Sequence, residues 1–506
     1  MTTAVEPRSS ASHPPAPRAG GDPVPFIALG ALVVLLVAVQ LATGGRSPFI
    51  WALALLLLPF FFAQRPDYGP VVLLVSALAI EQFGYTIGPQ SGAITAKIPL
   101  FHGIGSFHVN AADLLLVMVL VTAMAKRSTG VARTWPKTPL AKSLYVVFGF
   151  VILGVLVGKM HGGQLRYAFT ETRPFAYLLA TFVLAYMLLT SRSAIRALLW
   201  ALVATETFKA IQGLLLFRDV RHYAVRPDAV LGHEEGVFFG LFVLMTLSLW
   251  LFDVPMGRLR KTATWITPLV VAADLANTRR AAWLVLAGGL LTLLVVTYAV
   301  LPERRRYVGR IAGILAVVLM VYLPLYWNKS GGLAQPARAI HSVVNPNRRD
   351  ASSDIYRIQE DANLQVNIRE GKPLGRGFGV PIDYVLPIQD ISSIDPLIKY
   401  IPHNGVLYIL MRMGVLGGIA FWSMLGIAII GGCRLARSRD RELAMVGALT
   451  AALMVAYTFE GATDQGFFYY RVAFVVGTML GLCEAARKLD ARAPTRSDGV
   501  EAETRR

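Results

Sequence analysis

Long runs of apolar residues constrain this chain more than anything else in it. Residues 281–301 carry no charged side chain, and neither do residues 311–326 or 413–432. A helix that crosses hydrocarbon needs about 20 mostly apolar residues, because its amides must all bond within the segment. About fourteen stretches of plausible length and composition are present: 26–43, 48–64, 68–84, 110–125, 140–158, 173–190, 194–216, 235–252, 262–277, 281–301, 309–326, 404–432, 443–458 and 468–486. Glu81 and Asp274 interrupt the third and ninth, which are the weakest. Composition points the same way, with 55% hydrophobic and 16% charged residues against about 25% charged in soluble proteins. A soluble enzyme with a small anchor is excluded. The expected fold is an all-α polytopic membrane protein with about 14 transmembrane helices, in the range 12–14.

The charge balance is +18, from 49 Lys and Arg against 31 Asp and Glu. In a soluble protein that surplus would point to nucleic acid. Here it collects in alternate loops: Lys126, Arg127, Arg133, Lys137 and Lys142; Arg192 and Arg196; Arg258, Arg260 and Lys261; Arg304, Arg305, Arg306 and Arg310; Arg434, Arg437, Arg439 and Arg441. Cytoplasmic loops collect Lys and Arg, so these five are assigned to the cytoplasm, with both termini, and no nucleic-acid partner is expected. The expected division is a disordered cytoplasmic tail at 1–25, helices 1–11 over 26–326, a long extracytoplasmic loop at 327–402, helices 12–14 over 403–487, and a cytoplasmic tail at 488–506. The first apolar run reads as a span and not as a cleaved leader. Cys433 and Cys483 are too few for a disulfide framework.

The long loop carries nine Lys or Arg and eight Asp or Glu, so it is no polybasic surface. Its middle reads as an amphipathic helix, capped by Ser352 or Ser353 and stopped by Gly371-Lys372-Pro373, with Ile355, Ile358, Ala362 and Val366 along one face. Such a helix suits the membrane surface or the top of the bundle; packing on its neighbours for stability alone is the bland alternative.

Polar residues at span ends are costly and therefore functional candidates. Arg166, Arg173, Arg218, Arg221, Arg226, His233, Asp274, Arg279, Arg280, Arg357, His403, Asp464 and Arg471 all fall on the extracytoplasmic side of this topology. Clustered guanidinium groups there would bind a phosphate or diphosphate bidentately. Snorkelling to lipid, or pairing with Glu171, Asp219 or Asp228, is the alternative for any single arginine. His403 opens a span, and an imidazole there can take a proton from a hydroxyl; the helix N-terminus is expected to keep it neutral. Glu206 and Lys209 are spaced to pair on one helix face. Gly232-His233-Glu234-Glu235 has no second histidine at helical spacing, so neither a metal nor a cofactor is expected.

Three segments resemble the O-antigen ligase and O-antigen polymerase superfamily of bacterial envelope glycan transferases. They are Asn277-Thr278-Arg279-Arg280-Ala281-Ala282-Trp283-Leu284; Arg357 followed by Gly371-Lys372-Pro373-Leu374-Gly375-Arg376-Gly377-Phe378-Gly379; and Pro402-His403-Asn404-Gly405-Val406-Leu407 continuing to Gly414-Val415-Leu416-Gly417. The resemblance implies a GT-C-like fold in the cytoplasmic (inner) membrane. It implies an inverting, metal-independent transfer of a saccharide from a polyprenyl-diphosphate carrier to a hydroxyl of a glycan, lipid or protein acceptor. By position, His403 would orient or deprotonate the acceptor, and Arg357 with Arg279 or Arg280 would hold the leaving diphosphate. Arg173, Arg226, His233, Asn404 and Arg376 are the further substrate-binding candidates. Ligase and polymerase share these motifs. A flippase for lipid-linked glycans is the rival reading, disfavoured because no repeated halves are evident; a scaffold role is a third.

Overall fold

The computed structural model describes residues 32, 35 and 39 singly, and then 48–82, 94–101, 103–104, 109–223, 229–329, 331–346, 348–390 and 397–491. The expected span at 26–43 and Arg226 therefore lie outside the described residues, apart from those three positions. The chain divides into two compact units, Met1–Gln64 and Arg65–Arg506. In the first, Pro48–Gln64 forms α1.

The second unit is a helical bundle. Its helices are α2 (Gly69–Ala79), α3 (Ala111–Ser128), α4 (Pro139–Met160), α5 (Leu165–Leu188), α6 (Arg192–Val220), α7 (Glu235–Leu251), α8 (Gly257–Asn277), α9 (Arg280–Val300), α10 (Arg305–Tyr326), α11 (Gln335–Val344), α12 (Arg348–Glu370), α13 (Gly405–Leu435), α14 (Arg441–Thr463) and α15 (Tyr470–Asp490). One two-residue antiparallel ladder joins Gly103–Ile104 to Val109–Asn110. Among the described residues, each expected span from 48–64 onward coincides with a helix. Among the described residues, six segments are long and apolar enough to cross a membrane: α4, α6, α9, Pro302–Tyr326, α13 and α14. The helices are those of an integral membrane protein.

Several helix starts follow from local chemistry. Thr138 and Ser191 accept from the third amide of α4 and α6, and Asp440 accepts from Glu442 and Leu443 at the start of α14. Such caps satisfy amides with no partner inside the helix. α14 is buried along most of its length between α9, α13, α7 and α15, whereas α10 exposes nearly all its side chains. α14 is thus the axis and α10 the rim.

α13 is broken at Gly414, whose φ is +68°. The segment 373–380 docks into that break. Arg376 N–H donates to Met411 O (2.7 Å), Gly377 N–H to Arg412 O (3.2 Å), and Val415 N–H to Pro373 O (3.2 Å). Backbone groups freed by the break are paired by the inserted loop, which is what makes a broken helix tolerable inside a membrane protein. Gly377, at φ +80°, lies so close to Gly158 of α4 that a Cβ would strike its backbone. Arg412 is buried beneath the loop. It donates to Gly377 O (3.0 Å), Val380 O (2.6 Å) and Tyr400 O (2.8 Å), and pairs with Glu171 at 2.6 Å. The glycine-rich motif is therefore a packing device.

A second buried ionic cluster corrects the pairing expected for Lys209. Its partners are Glu81 and Glu235, and both carboxylate oxygens of Glu206 are buried without a hydrogen bond among the described residues. The reason is tertiary: the segment just after α2 and the start of α7 each bring a carboxylate to Lys209. Arg471 pairs with Glu234 (2.8 Å) and Glu235 (2.7 Å) in the same cluster.

Candidate active site

Four polar residues are brought to the long-loop end of the bundle by different elements. The turn between α8 and α9 is very short, because Thr278 takes a left-handed conformation (φ 54°). That turn presents Arg279. Asn277, fully buried beside it, accepts from Leu231 N–H (2.9 Å) and donates to Gly232 O (3.3 Å). The two residues before His233 are thus clamped to the turn, while Glu234 after it is held by Arg471. Arg357 comes from α12, and His403 precedes the cap of α13.

The last turn of α14 and the residue after it supply the shared partners, Glu460 and Asp464. His233 Nδ1 lies 2.8 Å from Asp464 Oδ2. Burial works against charge on Asp464, but the His233 contact, with Arg357 and His403 nearby, holds its carboxyl well below the usual carboxylate range. Glu460, one turn earlier, is within electrostatic reach of both Arg279 and Arg357. Arg357 Nη1 donates to Thr463 O at 2.7 Å. His403, Arg357, Arg279 and His233 therefore surround one pair of carboxylates.

His403 is gripped from α12. Glu360, fully buried, accepts from His403 N–H at 2.9 Å, and both its oxygens lie 3.3 Å from Nδ1. Asn404 accepts from Val406 and Leu407 N–H (3.1 Å each), capping α13, and donates to Asp361 Oδ2 at 3.2 Å. The Tyr356 ring meets His403 edge to face at 5.7 Å. Burial disfavours the charged ring of His403, but the Glu360 hydrogen bond and charge outweigh it and raise its pKa above the ordinary value. This corrects the expectation that the helix N-terminus alone would keep the ring neutral; a carboxylate in contact outweighs a partial dipole charge. Burial also raises the pKa of Asp361.

α12 turns a polar face to the protein and leaves part of its apolar stripe outside. Glu360, Asn363, Leu364 and Asn367 form its fully buried face, while Ile355 and Ile358 are 55% and 69% exposed. Asn363 bonds both backbone groups of Leu386, and Asn367 both those of Asp383. A polar buried face is stable here because the returning loop satisfies it. The helix also starts at Arg348, ahead of the proposed serine caps.

Other candidates are committed elsewhere. Arg280 donates to Ser342 Oγ (2.9 Å) and lies 3.8 Å from Asp354, tying α9 to α11 and α12. Arg376 is engaged by Asn367, Asp383 and Glu370. Arg173 sits against Asp113 (3.6 Å) and the Tyr470 ring (5.8 Å). Of the adjacent arginines, Arg279 is the one turned towards Glu460; its Nε is buried without a hydrogen bond among the described residues, as is Nε1 of Trp283 one turn on. Glu360, Asp361 and Glu460 were not singled out from sequence. The Glu460-to-Asp464 spacing, four residues at a span end, was a usable signal, whereas Glu360 lay in a helix read as apolar-faced.

Residues 263–422 match the family model described as O-antigen ligase. That match supports a kinship of this segment with the O-antigen ligase superfamily. The matched segment runs from within α8 to within α13 and holds Arg279, Arg357, Glu360 and His403, while His233 and Asp464 lie outside it. No curated protein matches the chain. The matched segment and the apolar helices together support a membrane glycan ligase or transferase in kind.

Proposed function

We propose that the chain transfers a saccharide from a polyprenyl-diphosphate carrier to an acceptor hydroxyl at the extracytoplasmic face of the cytoplasmic membrane. The acceptor oxygen attacks the anomeric carbon from the face opposite the diphosphate, inverting that centre. The hydroxyl proton passes to His403, and the glycosyl carbon–oxygen bond breaks with its electron pair going to the diphosphate. That leaving group already departs readily, so catalysis needs mainly charge stabilisation and positioning. Arg357 and Arg279 supply the charge, in the role a divalent cation serves in other transferases. Asn404 fixes the start of α13, and His233 borders the same space.

One observation carries the reading. Among the described residues, Arg279 and Arg357 reach the end of α14 without a carboxylate within ion-pair distance, and Arg279 Nε and Trp283 Nε1 are buried donors without acceptors. Unfilled buried donors are expensive, and an oxyanion would satisfy them. The glycan, lipid or protein nature of the acceptor follows from the family in kind only.

The test is product analysis with purified protein in vesicles, a defined polyprenyl-diphosphate glycan and a panel of acceptors. Glycan joined to acceptor with stoichiometric release of polyprenyl diphosphate is expected. Movement of the lipid-linked glycan across the vesicle without bond formation would replace this reading with the flippase one.

A further inference from the structure

Glu360 has no role in the transfer as described so far, yet among the described residues no other grips the proposed base so fully. Its carboxylate is completely buried, comes from the long-loop helix and meets His403 at two points, the backbone amide (2.9 Å) and ring Nδ1 (3.3 Å). A carboxylate only accepts hydrogen bonds. The Nδ1 that faces it therefore carries a proton, and the lone pair of the neutral ring sits on Nε2.

We infer that Glu360 is a positioning residue, which holds the Nδ1 edge of His403 so that Nε2 is presented to the acceptor hydroxyl. The inference rests on the transfer proposed above. As the glycosyl bond forms, the hydroxyl proton moves to Nε2, the glycosyl–diphosphate bond breaks, and the diphosphate keeps the electron pair. The imidazolium that results stands against the Glu360 carboxylate, which stabilises it without itself taking the proton. Asp361, next along α12, holds Asn404 in the same manner. Adjacent carboxylates thus fix adjacent residues of the His403-Asn404 pair, and α12 becomes the element that aims the base. The charged groups around the ring are Glu360, Asp361 and Arg357 from α12 and Asp464 from the end of α14, with the Tyr356 ring at its edge. Glu360 is the one in direct contact.

The experiment uses the full chain in vesicles, comparing wild type, Glu360→Gln, Glu360→Asp, His403→Ala and the Glu360→Gln/His403→Ala double variant, with thermal unfolding as a control for folding. Loss of an orienting partner typically costs about 10–100-fold. Glu360→Gln should lower kcat by about that factor with KM for the donor little changed, and should move the acidic limb of the kcat/KM profile to lower pH. Glu360→Asp should restore part of the rate and the limb. The double variant should be no slower than His403→Ala alone. A rate loss with an unmoved limb, or losses that multiply in the double variant, would reduce Glu360 to a structural residue and leave the transfer reading intact. Full activity in His403→Ala would overturn both.

Discussion

Two adjacent arginines at one helix start have been given different work by their surroundings. Arg280 is tied to Ser342 and Asp354, so its removal loosens the contact of α9 with α11 and α12. Arg279 faces Glu460 with a buried, unbonded Nε. Removing one preorganised donor to a developing oxyanion commonly lowers kcat by about 10²–10³. Arg279→Ala should therefore lose about that much transfer activity in an initial-rate assay, and Arg280→Ala should lose less than about tenfold. The pH dependence has a definite sign. His403 must be neutral to accept a proton, and its pKa is raised, with burial opposing and Glu360 prevailing. Transfer should increase with pH through a limb above the ordinary histidine value, and a kcat/KM profile measures where that limb falls. A limb below the ordinary value would contradict the Glu360 contact.

Among the elements, the inserted loop and α12 decide whether the site exists at all. Arg412 joins three loop carbonyls to Glu171 of α5, and Tyr408 Oη donates to the same carboxylate at 2.6 Å. Removing one partner of a buried pair costs about 3–5 kcal/mol, because the other charge is left without compensation. Arg412→Ala should lower the unfolding temperature in detergent markedly and abolish transfer together with it. Gly377→Ala should act through packing: its φ of +80° suits glycine, and its methyl would meet Gly158. A loss of more than about 1 kcal/mol is expected, measured by thermal unfolding, with Gly130→Ala as a comparison that shares positive φ but has open space around it.

For the whole molecule, the helix ends that meet at the site are the starts of α7, α9 and α13 and the ends of α8 and α14. Up-and-down connections by short turns place these at one end of the bundle, and the cationic turn at Pro302–Arg304 joins the opposite ends of α9 and α10. By the positive-inside rule, the proposed orientation puts the site end outside and that turn in the cytoplasm. Single cysteines placed at 303 and at 388, in a background with Cys433 and Cys483 replaced, should react with a membrane-impermeant thiol reagent from opposite sides. Labelling at 303 from outside intact cells would invert the topology and detach the site from an extracytoplasmic acceptor.

Hydropathy was enough to locate a helix at each apolar run from residue 48 onward among the described residues, because a lipid solvent enforces apolar length wherever a segment crosses it. The order of the three motifs was enough to name His403 and Arg357 as candidates. Apolar periodicity left the inward face of α12 open, since the residues that hold the loop are asparagines and a glutamate made stable by partners some 16 to 43 positions away. The choice between Arg279 and Arg280, the replacement of Glu206 by Glu81 and Glu235 beside Lys209, and the pairing of His403 with Glu360 share one cause. Each depends on which distant side chain arrives in space, and burial then makes that single contact decisive; only the tertiary structure contains that information.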